Sequence, residues 1–306
     1  MPRTDIENFE GGLSLIETIK DNQFESAFNF SYNTEREIET RKGLGQFSLV
    51  PDSASLVDDC NDITDWAVSG DATNLTLDTT NEIRGTGALN FDLSAYSTGT
   101  SKLTLTASAT VDISSDNSYI GFWVKFPTSY DAALTSIIVR IGSDSSNYYQ
   151  WTMTNPTAAT ATWIKLNFAD GTTTGTPDLS AVDFFELDFT TAAGYVGYTD
   201  FIVDDIRAYG PNSAKPPTSL MFHKVQSTGE RWLIAVAGTN MMLYNDTELA
   251  WEQIDSGLTE FESGSTTNRT RWSAKTYKDV VYMANGVDNY RWWDGKVVTQ
   301  GAGSTR

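Results

Sequence analysis

Between residues 74 and 209, short apolar runs alternate with polar positions at a period of two and are interrupted by clusters of Asp, Asn, Ser, Thr and Gly. This alternation predicts strands at Asn74 to Leu77, Ala88 to Leu93, Lys102 to Ala107, Tyr119 to Phe126, Ser136 to Ile141, Tyr148 to Met153, Thr162 to Phe168, Phe184 to Phe189 and Asp200 to Tyr209. Many short strands with no helical period across some 160 residues form the pattern of a two-sheet sandwich.

The pattern changes downstream. Arg231 to Ala237 leads through a Gly238-Thr239 turn into Met241-Met242-Leu243-Tyr244, and Lys278 to Ala284 leads through Asn285-Gly286 into Tyr290 to Trp293. Each unit reads as a strand, a tight turn and an aromatic strand, and the two glycines stand 48 residues apart, close to the period of a β-propeller blade. About two such units fit before Arg306, whereas a closed propeller takes roughly four to eight blades. Upstream, Asp21 to Phe28 begins with an N-capping residue and reads as a short helix, followed by strands at Asn29 to Tyr32 and Glu37 to Arg41.

Composition divides the chain at the same places. The fold class is all-β, with an N-terminal arm (1–51), a two-sheet sandwich module (52–210) and a propeller-like part (211–306). Gly210-Pro211-Asn212-Ser213-Ala214-Lys215-Pro216-Pro217 reads as a linker, because paired prolines keep the backbone extended and withhold ladder donors. The formal charge of −19 is uneven: bases against acids number 5 and 9 in the arm, 6 and 21 in the middle module, and 10 and 10 at the end. Such acidity disfavours nucleic acid and anionic membrane surfaces. No apolar run approaches the roughly 20 residues of a membrane span, and the acids in the first 20 residues do not suit a secretion signal, so synthesis in the cytoplasm is expected.

Candidate chemistry is sparse. Cys60 is the sole cysteine and is expected to be a half-buried thiol; His223 is the sole histidine, with no nucleophile elbow near it. Gly43-Leu44-Gly45 and Gly85-Thr86-Gly87 lack the third glycine and the helix of a phosphate loop and read as turns. Glu186 and Asp188 share one face of a strand, as in the Glu-x-Asp-x-x-Glu motif of laminarinase-like glycosidases. Thr190 and Thr191 stand where the remaining acid should be, so a solvated strand face is expected and no hydrolase activity. Asp204-Asp205, at the end of an apolar run, offers hard oxygens suited to calcium.

The order of several motifs in the middle module resembles the jelly-roll carbohydrate-binding modules of the galactose-binding-like class. They are Asp58-Asp59 with Ile63 and Trp66, Gly85-Thr86-Gly87-Ala88-Leu89-Asn90-Phe91, Ile120 to Lys125, Trp163 to Leu166, and Phe201-Ile202-Val203-Asp204-Asp205-Ile206. The resemblance implies a structural calcium held by Asp59 and Asp205, with Asp58 and Asp204 as adjacent choices. It also implies sugar stacking on exposed aromatics, for which Tyr148, Tyr149 and Trp151 are the candidates.

The outer segments resemble tail and connector proteins of tailed bacteriophages that begin with an arm and continue as a β-propeller. The residues concerned are Asn8 to Leu13, Lys20 to Gln23 with Asn29-Phe30, Arg41 to Leu44, and the blade-like units Trp232 to Tyr244 and Val280 to Gly295. That resemblance implies a non-enzymatic virion structural protein, a tail hub, nozzle or adaptor. It would form a ring with copies of itself, contact other tail proteins, and carry the jelly roll outward as decoration or contact with a host surface glycan. The alternative is a bacterial surface or secreted carbohydrate-binding protein.

Overall fold

The structure, a computed structural model, describes residues 30–32, 38–40, 51, 54–127, 133–153, 155–210, 217–225, 227, 229, 231–245, 248, 250–259, 272–296 and 298–300. Contacts divide the chain into Met1–Phe47 and Ser48–Arg306. In the first unit, β1 (Phe30–Tyr32) and β2 (Ile38–Thr40) form the expected antiparallel pair, with Phe30 opposite Thr40. The expected helix at 21–28, the arm motifs at 8–13, 20–23 and 41–44, and linker residues 211–216 lie outside the described residues.

The jelly roll contributes β3 (Ala54–Asp58), β4 (Trp66–Gly70), β5 (Ala72–Asp78), β6 (Ala88–Leu93), β7 (Thr100–Val111), β8 (Tyr119–Lys125), β9 (Leu134–Asp144), β10 (Asn147–Met153), β11 (Ala161–Asn167), β12 (Thr172–Thr174), β13 (Val182–Thr191) and β14 (Tyr198–Tyr209). One sheet runs β12-β10-β9-β13-β7-β4; the other runs β11-β8-β14-β6-β5, with β3 also paired to β14. The nine expected strands are all present. The three unforeseen ones are β3, β4 and β12, and each pairs at a margin or off the main path, where little apolar alternation is needed; β12 is three exposed threonines.

Alternation along β13 explains the core. Phe185, Leu187 and Phe189 point inward to meet Leu89, Phe91, Phe122, Phe201 and Val203 of the facing sheet, all buried. Phe91 lies 5.7 Å from both Phe189 and Phe201, centroid to centroid. Each such ring contributes about 1.5–3 kcal/mol on leaving water.

The C-terminal part holds β15 (Ser219–Lys224), β16 (Arg231–Ala237), β17 (Asn240–Asn245), β18 (Ala250–Asp255), β19 (Ser273–Tyr277), β20 (Val280–Ala284), β21 (Arg291–Trp293) and β22 (Val298–Gln300). These make two four-stranded antiparallel meanders, β15-β16-β17-β18 and β19-β20-β21-β22, so the expected hairpins are the middle pairs of complete blade-like sheets. The sheets share one core in which Trp232, Ile234, Met241 and Leu243 meet Val281, Met283 and Trp293.

Edge strand β18 meets the outer side of the sheet that contains β8 and β14. The Tyr119 hydroxyl donates to the Trp251 carbonyl at 2.8 Å, and the Gln253 amide donates to the Tyr209 hydroxyl at 3.2 Å. Two phenols thus satisfy edge groups that would otherwise template another strand. Their rings stack at 4.7 Å, with Trp163 edge-on to both. Gly121 makes this possible, since a Cβ there would stand 2.3 Å from the Trp163 ring. Beside them Glu252, 1% exposed, accepts from Arg84 Nε at 2.5 Å, Arg84 Nη2 at 3.0 Å and Trp123 Nε1 at 2.8 Å. Arg84 Nη1 donates to the Gly295 carbonyl of the second blade at 2.8 Å, and Arg207 Nη1 donates to Gln253 Oε1 at 2.7 Å.

Because removing one partner of a buried ion pair strands the other, Glu252→Ala is expected to lower unfolding free energy by about 3–5 kcal/mol. Lys296→Ala breaks the more exposed pair with Glu82 and should cost no more than about 1 kcal/mol. Denaturant titration of both variants checks this; equal losses would show that the Glu252 pair does not hold the joint.

Candidate functional site

The outer side of the sheet that contains β13 carries three transverse rows set by strand register. Gln150, Arg140, Glu186 and Thr104 stand side by side on β10, β9, β13 and β7. Thr152, Ile138, Asp188 and Lys102 form the row on one side, and Tyr148, Gly142, Phe184 and Thr106 the row on the other. With no side chain at Gly142, the Tyr148 and Phe184 rings meet across it at 6.1 Å.

Arg140 organises the centre. Its Nη1 donates to Glu186 Oε1 and, at 2.9 Å, to Asp188 Oδ2; its Nε donates to Gln150 Oε1 at 3.5 Å; its guanidinium lies 5.4 Å from the Tyr148 ring centroid. Lys102 Nζ donates to both Glu186 oxygens at 3.1 and 3.2 Å, and Thr104 Oγ1 donates to Glu186 Oε2 at 3.3 Å. Glu186 and Asp188 are therefore buried at 6% and 8% exposure, which corrects the expected solvated strand face. Neighbouring strands place two cations beside two carboxylates, and the four groups screen one another from water.

Alternation separates the three aromatic candidates. Tyr148 faces outward, but Tyr149 and Trp151 belong to the core. Trp151 Nε1 donates to the Asn167 carbonyl at 2.8 Å, and both rings pack on Phe168, at 5.2 Å for Tyr149 and 5.6 Å for Trp151. The three therefore do not form one exposed platform: Tyr149 and Trp151 lie on the core side, and Tyr148 faces outward with Phe184 beside it. Arg140 and Lys102 were not foreseen as site residues; the available signal was a base at the outward phase of an alternating strand, Arg140 within Ile137-Ile138-Val139-Arg140-Ile141.

The four aspartates expected to hold calcium do not form one ligand set. Asp59 is exposed and accepts the Asn61 amide. Asp58 Oδ1 accepts from the Cys60 amide at 2.7 Å and Trp66 Nε1 at 3.2 Å. Both oxygens of Asp205 accept from Arg207 Nε, at 2.9 and 3.0 Å. Asp204 Oδ2 accepts the Ile83 and Arg84 amides at 2.8 and 2.7 Å, and its Oδ1 is buried without a partner. Among the described residues no group of three or more His, Cys, Asp or Glu is placed to hold a metal ion, so calcium does not fit this set. The interruption of β14 pairing between Asp204 and Arg207, with Asp205 at φ +47°, accounts for the divergence of the adjacent carboxyls.

Burial pushes the Asp204 carboxyl up to about 7 against the two amides, with Asp205 adding to the rise. Cys60 is fully buried, more than expected, and burial together with Asp58, Asp204 and Asp205 pushes its thiol well up. His223 is also buried; its Nδ1 shares a hydrogen bond with Thr276 Oγ1 at 2.8 Å, which joins the two blade-like sheets.

No protein family's sequence profile matches the chain, and no curated protein does. Among solved structures the chain is similar to a family 11 carbohydrate-binding module from Clostridium thermocellum in complex with a β-1,3-1,4-mixed-linked tetrasaccharide, at 15% identity and a TM-score of 0.40 over 53% of this chain and 96% of that one. It is similar also to the family 11 module of the cellulosomal cellulase Lic26A-Cel5E of Clostridium thermocellum, at 13% identity and 0.37 over 52% and 95%. The agarase AgWH50C matches at 12% identity and 0.38 over 54% of this chain and 25% of that chain.

The raised Asp204 carboxyl has a defined sign. A folded-state value near 7 against 3.8 for the free group means that the folded form holds the proton more tightly. The associated stability is fully present below the unfolded value and is lost as pH rises through about 7. The melting temperature should therefore fall between pH 5 and pH 8, and Asp204→Asn should flatten that decline. Melting curves with chelator and with millimolar calcium should superimpose; a calcium-dependent rise of several degrees would return a metal to this site.

Proposed function

We infer that the protein binds a neutral glycan on the outer side of the sheet that contains β13 and performs no catalysis there. The observation that carries this reading is the Tyr148 ring set beside a fixed row of hydrogen-bonding groups, Gln150, Arg140 and Glu186, on regular strands. A sugar presents an apolar ring face and a rim of hydroxyls, which match an aromatic platform flanked by charged donors and acceptors. Ion pairing holds those groups in place before the ligand arrives, so little side-chain entropy remains to be lost on binding. Catalysis is disfavoured because Arg140 engages both Glu186 and Asp188, and Thr190 follows where a further acid would be needed.

A second reading, a structural subunit of a virion tail built as a ring of copies, is favoured by the blade-like pair. Its two outward faces leave large apolar side chains exposed, Leu220 at 56% and Phe222 at 67% on one sheet, and Tyr277 at 62% and Tyr282 at 41% on the other. Such faces suit head-to-tail stacking of copies. In this reading the jelly roll is the glycan-contacting decoration of the assembly.

Titration calorimetry with soluble neutral β-glucan and galactan oligosaccharides tests the first reading. Tyr148→Ala is expected to weaken binding by about tenfold or more without loss of fold, whereas Tyr149→Ala should act on stability. Binding that persists in Tyr148→Ala would remove this face from the account. Sedimentation velocity tests the second reading: the full chain should associate and Phe222→Asp should not, and a monomer at all concentrations would refute the ring.

A further inference from the structure

A second cleft lies on the other side of the jelly roll, where the loop between β5 and β6 and the outer side of β8 meet both blade-like sheets. It encloses about 540 Å³ and counts Arg84, Lys125, Lys296, Glu82, Asn81 and Trp123 among its walls. An adjoining cavity of about 380 Å³ shares Asn81, Lys125 and Ala159 with it and continues to Tyr198, Thr199 and Asp200. The two adjoin along these residues, with Lys125 in the walls of both.

Bases that are scarce in the surrounding module gather in the wall of the larger cavity. The protein has 40 acids against 21 bases, and residues 52–210 have 21 against 6, yet the main cleft brings three bases together with one acid in its wall. Arg84 is compensated by Glu252 and Lys296 by Glu82. Of the six bases in residues 52–210, Lys102 and Arg140 pair with Glu186, Arg207 with Asp205, Arg84 with Glu252, and Lys165 lies 5.0 Å from the Tyr119 ring. Lys125 alone has no ion pair or ring partner among the described residues, and it is half-buried. A half-buried ammonium without an ion pair attracts an anion more strongly than the same group in open water.

The geometry points to this groove as a binding site for an oligosaccharide that carries isolated anionic groups, carboxylate or sulfate, one of which pairs with Lys125. Two adjoining open cavities can take successive residues of a linear chain, and each volume is in the range of small-molecule sites, roughly 300–1,000 Å³. Asn81, Thr80 and Thr199 supply hydroxyl partners, while Glu82 and Asp200 accept hydroxyls but repel a continuous phosphate backbone, which argues for a saccharide with sparse charge and against nucleic acid. The joint through Glu252 fixes Arg84 and Trp123, so the walls are set before binding. This site is separate from the Tyr148 face.

Titration calorimetry of the full chain with trigalacturonate, a sulfated galactose trisaccharide and neutral cellotriose tests it. One or both acidic probes should bind, and the pair distinguishes carboxylate from sulfate; the affinity should fall with salt. Lys125→Met should weaken acidic binding by at least about tenfold, the effect of losing a charge-assisted hydrogen bond, and Lys125→Arg should restore most of it. Tyr148→Ala should leave acidic binding intact, which separates this inference from the neutral-glycan reading. The inference is overturned if neither acidic probe binds, if Lys125→Met, folded by its melting curve, binds as the unaltered chain does, or if Tyr148→Ala and not Lys125→Met abolishes binding.

Discussion

Glu252 is the constraint on which the joint between the jelly roll and the first blade-like sheet depends. A carboxylate with 1% exposure is tolerable only if its lost hydration is replaced, and here Arg84 supplies two donors and Trp123 a third. Arg84 is itself nearly enclosed, 4.5 Å from the centroid of Trp123 and 5.2 Å from that of Trp293, so acid and base each require the other. The charge pair also fixes geometry, because Arg84 Nη1 donates in addition to the carbonyls of Gly295 and Ile83. Three sheets are thereby brought to one guanidinium.

The phenols of Tyr119 and Tyr209 solve a different problem at the same joint. A meander of four strands ends in an edge, and an unpaired edge recruits further strands. Side-chain hydroxyls cap β18 without extending the sheet, so the jelly roll can lie against the blade-like sheet while each keeps its own hydrogen-bond ladder. The aromatic stack beneath them, opened by Gly121, makes the contact apolar as well as polar.

One consequence is a division of labour between the two outer sides of the jelly roll. The sheet with β8 and β14 is committed to the joint and, at its margin, to the groove lined by Lys125. The sheet that contains β13 turns its charged and aromatic rows outward. That second surface rests on regular strands, where backbone pairing fixes the spacing between side chains. The Arg207–Asp205 pair places a guanidinium beside one of the carboxyls that the resemblance implied as a metal ligand, while Asp204 turns to the Ile83 and Arg84 amides.

The sequence by itself determined the all-β class, the nine principal strands and the blade-like hairpins, because period-two burial depends on each strand's own residues. It also placed Glu186 and Asp188 on one face and Tyr148 opposite in phase to Tyr149 and its inward partner rows, since alternation is a local property. It could not supply β12, whose threonines carry no apolar signal and which pairs only because β10 offers an edge. Nor could it show that Glu186 meets Arg140, 46 residues away, or that Arg84 meets Glu252 across 168. The burial of the acidic pair, the failure of the four aspartates to converge and the groove at the joint were decided by tertiary structure alone, because each depends on which segments become neighbours, and the charge a residue meets there is not written in its own segment.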